Sequence, residues 1–181
     1  MFYLGGSAGR CNIELHDIQF AAVHEPKDAW PALRDAWFGD RDKVHLDGYA
    51  QITWADGHAV RLRRGAPAPA QGDPSRKGEN TGDLHTGDLR LYFVYAGGYR
   101  SDCLAEQHDF GLFVATDAAS ARRRAMTQLL PELNLQHKDS LKDVDSCILL
   151  DCIDGWHVEL TPQPGGEPDR PQWQGYQPIG A

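Results

Sequence analysis

Residues 2–17 read FYLGGSAGRCNIELHD, and residues 94–109 read VYAGGYRSDCLAEQHD. An offset of 92 places Tyr95 on Tyr3, Gly97 and Gly98 on Gly5 and Gly6, Cys103 on Cys11, Glu106 on Glu14, and His108-Asp109 on His16-Asp17. The same offset runs on through Ala121 on Ala29 to His137 and Asp139 on His45 and Asp47, giving 10 identities over positions 1–47. Unrelated segments of ordinary composition would share roughly three. The chain is therefore a duplication, and its fold is built twice.

In the first copy, 2–4 reads as a short apolar strand closed by Gly5-Gly6, and 17–23 as a second strand. The loop between them carries Cys11, Glu14 and His16. A helix follows, with Asp28 as its cap and Pro31 tolerable because it falls in the first turn. Ala29, Leu33 and Trp37 share one face of that helix, which therefore packs on a sheet. A polar stretch after Gly39 leads to a strand at 50–54. Asp56-Gly57 suits a two-residue hairpin turn into 58–62, because type I′ geometry needs positive φ at both central residues.

The second copy repeats the plan from residue 90, with a strand at 110–115, a helix capped by Thr116, and a buried stripe of Ala118, Ala121, Ala125 and Leu129. Its loop before Cys147 is six residues longer, since the Asp154-Gly155 turn lies 98 rather than 92 beyond Asp56-Gly57.

These boundaries give a first unit at 1–64, a connector at 65–89, a second unit at 90–161 and an irregular tail at 162–181. The connector is rich in Pro, Gly, Ser and charge without periodicity, and is expected to be flexible. In the tail, Trp173 and Tyr176 are expected to dock on the chain itself. Units of about 65 residues have marginal cores of their own. The expected fold is α/β (α+β), with two tandem β-β-α-β-β repeats packed with pseudo-two-fold symmetry and unfolding together.

With 41% hydrophobic and 24% charged residues among 181, the composition is that of a globular protein. No apolar run is long enough to cross a membrane, and no leader pattern opens the sequence, so the expected location is cytoplasmic. A net charge of -8 disfavours nucleic acid and anionic membranes as partners. The run Arg122-Arg123-Arg124 reads as a solvated helix face. Four cysteines without a C-x-x-C pair exclude zinc-ribbon and thioredoxin readings, and Cys147 and Cys152 are expected to be reduced core residues.

At the glycine pair, CNIELHDIQF (11–20), WPALRDAWFG (30–39) and HLD (45–47), the first copy resembles a bacterial domain-of-unknown-function family, number fifteen-forty-three. Its members carry a glycine pair, an E-x-H-D-x-x-F block and a helix ending near W-F-G, often in two copies. The resemblance covers 1–62 closely and 91–160 more loosely. Leu104, Ala105 and Gln107 stand where the first copy has Asn12, Ile13 and Leu15, and the second helix ends in LLPEL. The resemblance implies a fold and no activity.

Three chemistries fit the repeated residues. Gly5, Gly6 and Arg10, with Gly97, Gly98 and Arg100, could cradle an anion on successive backbone N–H groups. A phosphate loop normally opens onto a helix, however, and a strand follows here, so tight-turn glycines are the ordinary reading. Glu14, His16, His45 and Asp47, repeated as Glu106, His108, His137 and Asp139, are adequate ligands for a divalent metal. In an extended segment Asp17 opposes Glu14 and His16, and the blander role for His and Asp here is to satisfy backbone groups. Cys11 with His16 and Glu14 lacks the helix N-terminus that would lower a thiol pKa, and there is no G-x-S-x-G. The leading expectation is a non-catalytic module that binds a small ligand or a protein partner between its two copies, without a cofactor. The alternative is a metal-dependent enzyme using the repeated Glu/His/Asp loops. Homo-oligomerisation stays open.

Overall fold

The computed structural model describes residues 1–65, 89–131 and 143–180. The first copy forms β1 (Phe2–Gly6), β2 (Leu15–Gln19), a single 3-10 turn (Pro26–Ala29), α1 (Trp30–Ala36), β3 (His45–Tyr49), β4 (Trp54–Ala55) and β5 (His58–Arg64). The second forms β6 (Arg90–Gly98), β7 (Gln107–Ala115), α2 (Ala118–Gln128), β8 (Asp143–Leu149), β9 (Cys152–Ile153) and β10 (Trp156–Pro162); β11 (Trp173–Pro178) follows. The protein is mixed α+β. Each copy runs β-β-α-β and then a hairpin, one strand more than expected. No described helix is long and apolar enough to cross a membrane. The expected connector falls almost wholly outside the described residues.

The strands form sheets of order β11-β3-β1-β2, β7-β6-β8 and β4-β5-β10-β9. By contacts the chain divides into one unit of Met1–Thr53, Ile153–Trp156 and Pro168–Ala181, and another of Trp54–Cys152 and His157–Glu167. In the first unit, Phe2, Leu4, Val44 and Leu46 pack against Ala29, Leu33, Trp37 and Ile179. In the second, Tyr92, Val94, Ala96, Phe113 and Ala115 pack against Ala121, Ala125 and Leu129. The helical stripes are therefore equivalent, Ala29-Leu33-Trp37 matching Ala121-Ala125-Leu129, while Ala118 is exposed.

Strand register shows where the duplication keeps its offset and where it loses it. Gly5 pairs with His16 and Leu4 with Asp17; Gly97 pairs with His108 and Ala96 with Asp109. The offset is 92 throughout. On the other side of the central strand, Gly5 pairs with His45, but Gly97 pairs with Asp143. The third strand is thus displaced by 98, so the six extra residues precede β8. This corrects the equivalence of His45-x-Asp47 with His137-x-Asp139, because the ladder positions belong to Asp143-x-Asp145. His137 and Asp139 themselves lie outside the described residues.

Several local expectations change. Gly5-Gly6 and Gly97-Gly98 are the ends of β1 and β6, not turns, and none of the four has positive φ. β2 and β7 start early enough to include His16 and His108. The stretch KVHLDGY reads as polar, yet Val44 and Leu46 alternate into the core and leave His45 and Asp47 on the opposite face. Glu25, not Asp28, begins the first helical segment, in a capping box with Asp28. Asp117, not Thr116, caps α2 and accepts from Ser120 N. The tail is not irregular: β11 pairs with β3, with Trp173 opposite Tyr49. Cys152 is exposed and so is not a core residue, whereas Cys147 is half-buried and packs against the second core.

Both expected hairpin turns form, with φ of 50° and 83° at Asp56 and Gly57 and of 51° and 79° at Asp154 and Gly155. Their aspartates also anchor the chain. Asp154 accepts the Ala22 N–H at 2.8 Å, and Asp56 accepts the Val114 N–H at 2.7 Å while pairing with Arg124.

Candidate functional site

Three neighbouring strands set the site. His16 on β2, Gly5 on β1 and His45 on β3 lie in one row across the sheet, and cross-strand partners share a face. The middle position carries no side chain, so the two imidazoles can lean together over it. An added Cβ on Gly5 would stand 2.5 Å from His45 Nε2 and 2.6 Å from Asp47 Oδ2. That close approach explains this glycine where a turn does not. Asp47 falls where the β1–β3 ladder shifts, between the pairs Tyr3–Gly48 and Leu4–Leu46. Irregularities of this kind re-aim a side chain.

The four polar head groups meet. His45 Nε2 is 2.8 Å from Glu14 Oε1 and 3.2 Å from Asp47 Oδ1. His16 Nε2 is 3.5 Å from Glu14 Oε2 and 3.5 Å from Asp47 Oδ2. Each carboxylate thus offers one oxygen to each ring. The His45 side chain is 6% exposed and that of Glu14 47%, so the cluster has a buried floor and an open rim. Burial, followed by the negative charge of Glu14, raises the Asp47 carboxyl above its ordinary range against the opposing pull of His45 and His16. Burial first, then Asp47 and Glu14, raises the Tyr3 phenol.

His45 decides the chemistry. Its Nδ1 lies 3.3 Å from the Lys43 carbonyl, an acceptor only, so that nitrogen carries a hydrogen. A neutral imidazole has no second hydrogen for Nε2, which nevertheless faces two carboxylate oxygens. The arrangement calls for one more positive charge: a second ring proton, a proton kept on a carboxyl, or another cation.

Two tyrosines that sequence reasoning did not include back the rings. Tyr3 stacks on His16 with centroids 5.2 Å apart and planes at 11°, and Tyr176 lies 4.3 Å from the His45 ring. Tyr176 arrives because Gly175 and Tyr176 fall between the pairs Gln174–Gly48 and Gln177–Leu46, opposite Asp47. The repeated Tyr95 signalled the first of these. Nothing in local spacing signals the second.

The second copy keeps part of the pattern. Tyr95 stacks on His108 at 5.3 Å and 17°, its hydroxyl is 2.5 Å from His108 Nδ1, and Glu106 Oε2 is 3.9 Å from His108 Nε2. The ladder position of His45 holds Asp143. Among the described residues, no group of three or more His, Cys, Asp or Glu side chains is arranged so that it could hold a metal ion.

The anion-cradle residues do not gather. Both glycine pairs are extended strand, whereas a nest needs a turn. Arg100 is tied to Asp102 at 2.8 Å, and Arg10 is exposed. The loop after Gly6 is pinned elsewhere: Ser7 O accepts the Asp40 N–H at 2.7 Å. Asp40 in turn accepts the Gly9 N–H, the largest cause of its lowered pKa. Asp17 and Asp109 play the bland role, each accepting the next residue's N–H, at 2.8 and 2.9 Å.

Comparison with known proteins agrees with this duplicated architecture. The model of a Domain of Unknown Function family, DUF1543, matches twice, at residues 11–62 and 103–160. A crystal structure of protein Il1583 from Idiomarina loihiensis is similar over 98% of this chain and 94% of its own, at 30% identity and a TM-score of 0.67. Among curated proteins, none matches. With two matched segments that together span more than half its length, the chain belongs to the DUF1543 family.

Proposed function

We propose that the chain is a non-catalytic binding module whose first repeat takes up a small cation at Glu14, His16, His45 and Asp47. The carrying observation is the His45 ring, which gives Nδ1–H to a backbone carbonyl and turns Nε2 to two carboxylates. A further hydrogen within the cluster or a bound cation would satisfy that nitrogen and the oxygens it faces, and we assign the place to a cation. The expected ligand site between the copies is not needed for this reading, because all four residues lie in the first unit. Nor is a nucleophile: Cys11 is exposed, and its sulfur accepts the Ala8 N–H at 3.3 Å.

Thermal shift of the full chain with divalent metal chlorides and with organic cations, arginine and spermidine, tests the proposal. A cation that binds the folded state alone raises Tm with the logarithm of its concentration. The rise should vanish in a Glu14→Gln, Asp47→Asn double variant. No rise with any cation, or the same rise in that variant, would overturn the reading.

A further inference from the structure

Two runs of six residues carry no charge and no proline: IQFAAV at 18–23 and FGLFVA at 110–115, related by the same offset of 92. Apolar runs of this length pair readily with other chains when they lie at a sheet edge. The first begins on β2 and the second fills out β7, and among the described residues each of these strands ends its sheet. An aspartate stands at each end of each run. At the near end, Asp17 Oδ1 accepts the Ile18 N–H at 2.8 Å, and Asp109 Oδ1 accepts the Phe110 N–H at 2.9 Å. Four residues on, Asp154 accepts the Ala22 N–H at 2.8 Å and Asp56 the Val114 N–H at 2.7 Å. In a strand, N–H groups two residues apart point to the same edge. That of Val114 goes to Asp56 and not to β6, so that of Phe110 also points away from β6, and Ile18 is its counterpart on β2. At Val114 the edge is closed twice over, because Arg124 donates to the Val114 carbonyl at 2.7 Å and pairs with Asp56.

Asp17 and Asp109 start from the apolar face of their strands. Their cross-strand partners, Leu4 and Ala96, are fully buried, and such partners share a face. Each carboxylate turns to the outward amide of the next residue, and its second oxygen is held as well. Gln19 Nε2 donates to Asp17 Oδ2, and the Leu130 N–H donates to Asp109 Oδ2 at 3.3 Å. An inward-facing charge on an edge strand discourages added strands, because a strand laid alongside would bury it. We infer that Asp17 and Asp109 are edge guards: by occupying the outward amides of Ile18 and Phe110, they keep β2 and β7 from pairing edge to edge with a second copy of this chain. The repeated aspartate thereby has a reason of its own. His45 is not kept between the copies, its ladder position being Asp143 in the second, whereas each uncharged run needs its guard. The cation site lies on the opposite face of the same strands and plays no part.

Sedimentation velocity of the full chain and of an Asp17→Ala, Asp109→Ala double variant, from micromolar to millimolar concentration, tests this. Expected are larger species in the variant than in the parent at equal concentration, growing as concentration rises, with the far-ultraviolet circular dichroism retained. An Asp17→Asn, Asp109→Asn pair keeps an acceptor at both amides and should sediment as the parent does. The unaltered chain gives a second readout that does not depend on how the variants fold. Its Ile18 and Phe110 amides should exchange with deuterium at least ~10-fold more slowly than unstructured amides, read residue by residue by NMR. Should the alanine pair fail to fold, those exchange rates decide. An alanine pair that folds and sediments as the parent does, an asparagine pair that associates as strongly as the alanine pair, or unprotected amides in the unaltered chain would overturn the inference.

Discussion

Gly5→Ala adds one methyl group at the point where the structure has least room for it. The new Cβ would be 2.5 Å from His45 Nε2 and 2.6 Å from Asp47 Oδ2, some 0.9 and 0.8 Å inside the 3.4 Å of ordinary contact. Asp47 can turn toward solvent, but His45 is buried and held at Nδ1, so β1 or the ring must shift. Overpacking of this kind costs about 1–3 kcal/mol. Replacing glycine inside a regular element returns roughly 0.5–1 kcal/mol. The expected net loss is about 1–2 kcal/mol, which for a chain of this length lowers Tm by about 2–8 °C. Thermal unfolding followed by far-ultraviolet circular dichroism measures it. In a His45→Ala background the main obstacle is gone, so the cost of the Gly5→Ala change should fall by more than half, a coupling that a double-mutant cycle reads directly. An equal cost in both backgrounds, or a Tm that rises, would refute the idea that this glycine exists to admit the imidazole.

Asp56→Ala removes an acceptor from the Val114 N–H and puts alanine at φ +50°; about 2–3 kcal/mol and a Tm drop of about 5–10 °C are expected, with Asp56→Asn milder. Ending the chain before Trp173 strips β3 of a partner and uncovers the pocket of Ile179, and should give a dye-binding state without near-ultraviolet circular dichroism. A fragment of 1–64 lacks the same strand and should be molten or associate; a sharply melting monomer would contradict both. Burial lowers the Met1 amine from 8.0 to about 6, so the folded chain holds that proton less tightly than the unfolded one. Stability should therefore rise between pH 6 and 8, be fully present above the unfolded value, and fade as pH falls. Denaturant midpoints at pH 6, 7 and 8 should show the slope, and an N-terminally acetylated chain should lose it.

The duplication was legible because identities cluster where the ladder is tight: Gly5 beside His16, Gly97 beside His108, Tyr3 and Tyr95 against those rings. The helical stripes and both Asp-Gly turns were legible too, since local periodicity and φ requirements act within a few residues. β3 was not, because its outward positions carry His45 and Asp47, and a strand whose polar face is itself a site looks like a loop. The offset change was hidden by a second H-x-D six residues early, which identity cannot tell from the true partner but a backbone ladder can. Tyr176 was out of reach for a different reason. Its place against the His45 ring depends on a pairing between residues about 130 apart and on an irregularity in that pairing, and no local signal encodes either.

The pairing of β11 with β3 also orders events in time. During synthesis the first strands leave the ribosome long before Trp173 is made, so β1, β2 and β3 wait with one edge unpaired while the second copy is translated. The half-site of Glu14, His16, His45 and Asp47 can gather in that interval, but the ring of Tyr176 closes over His45 only once Tyr176 itself has left the exit tunnel. Until then the nascent chain presents an open strand edge, the form most exposed to chaperones and to pairing with a neighbouring chain on the same message.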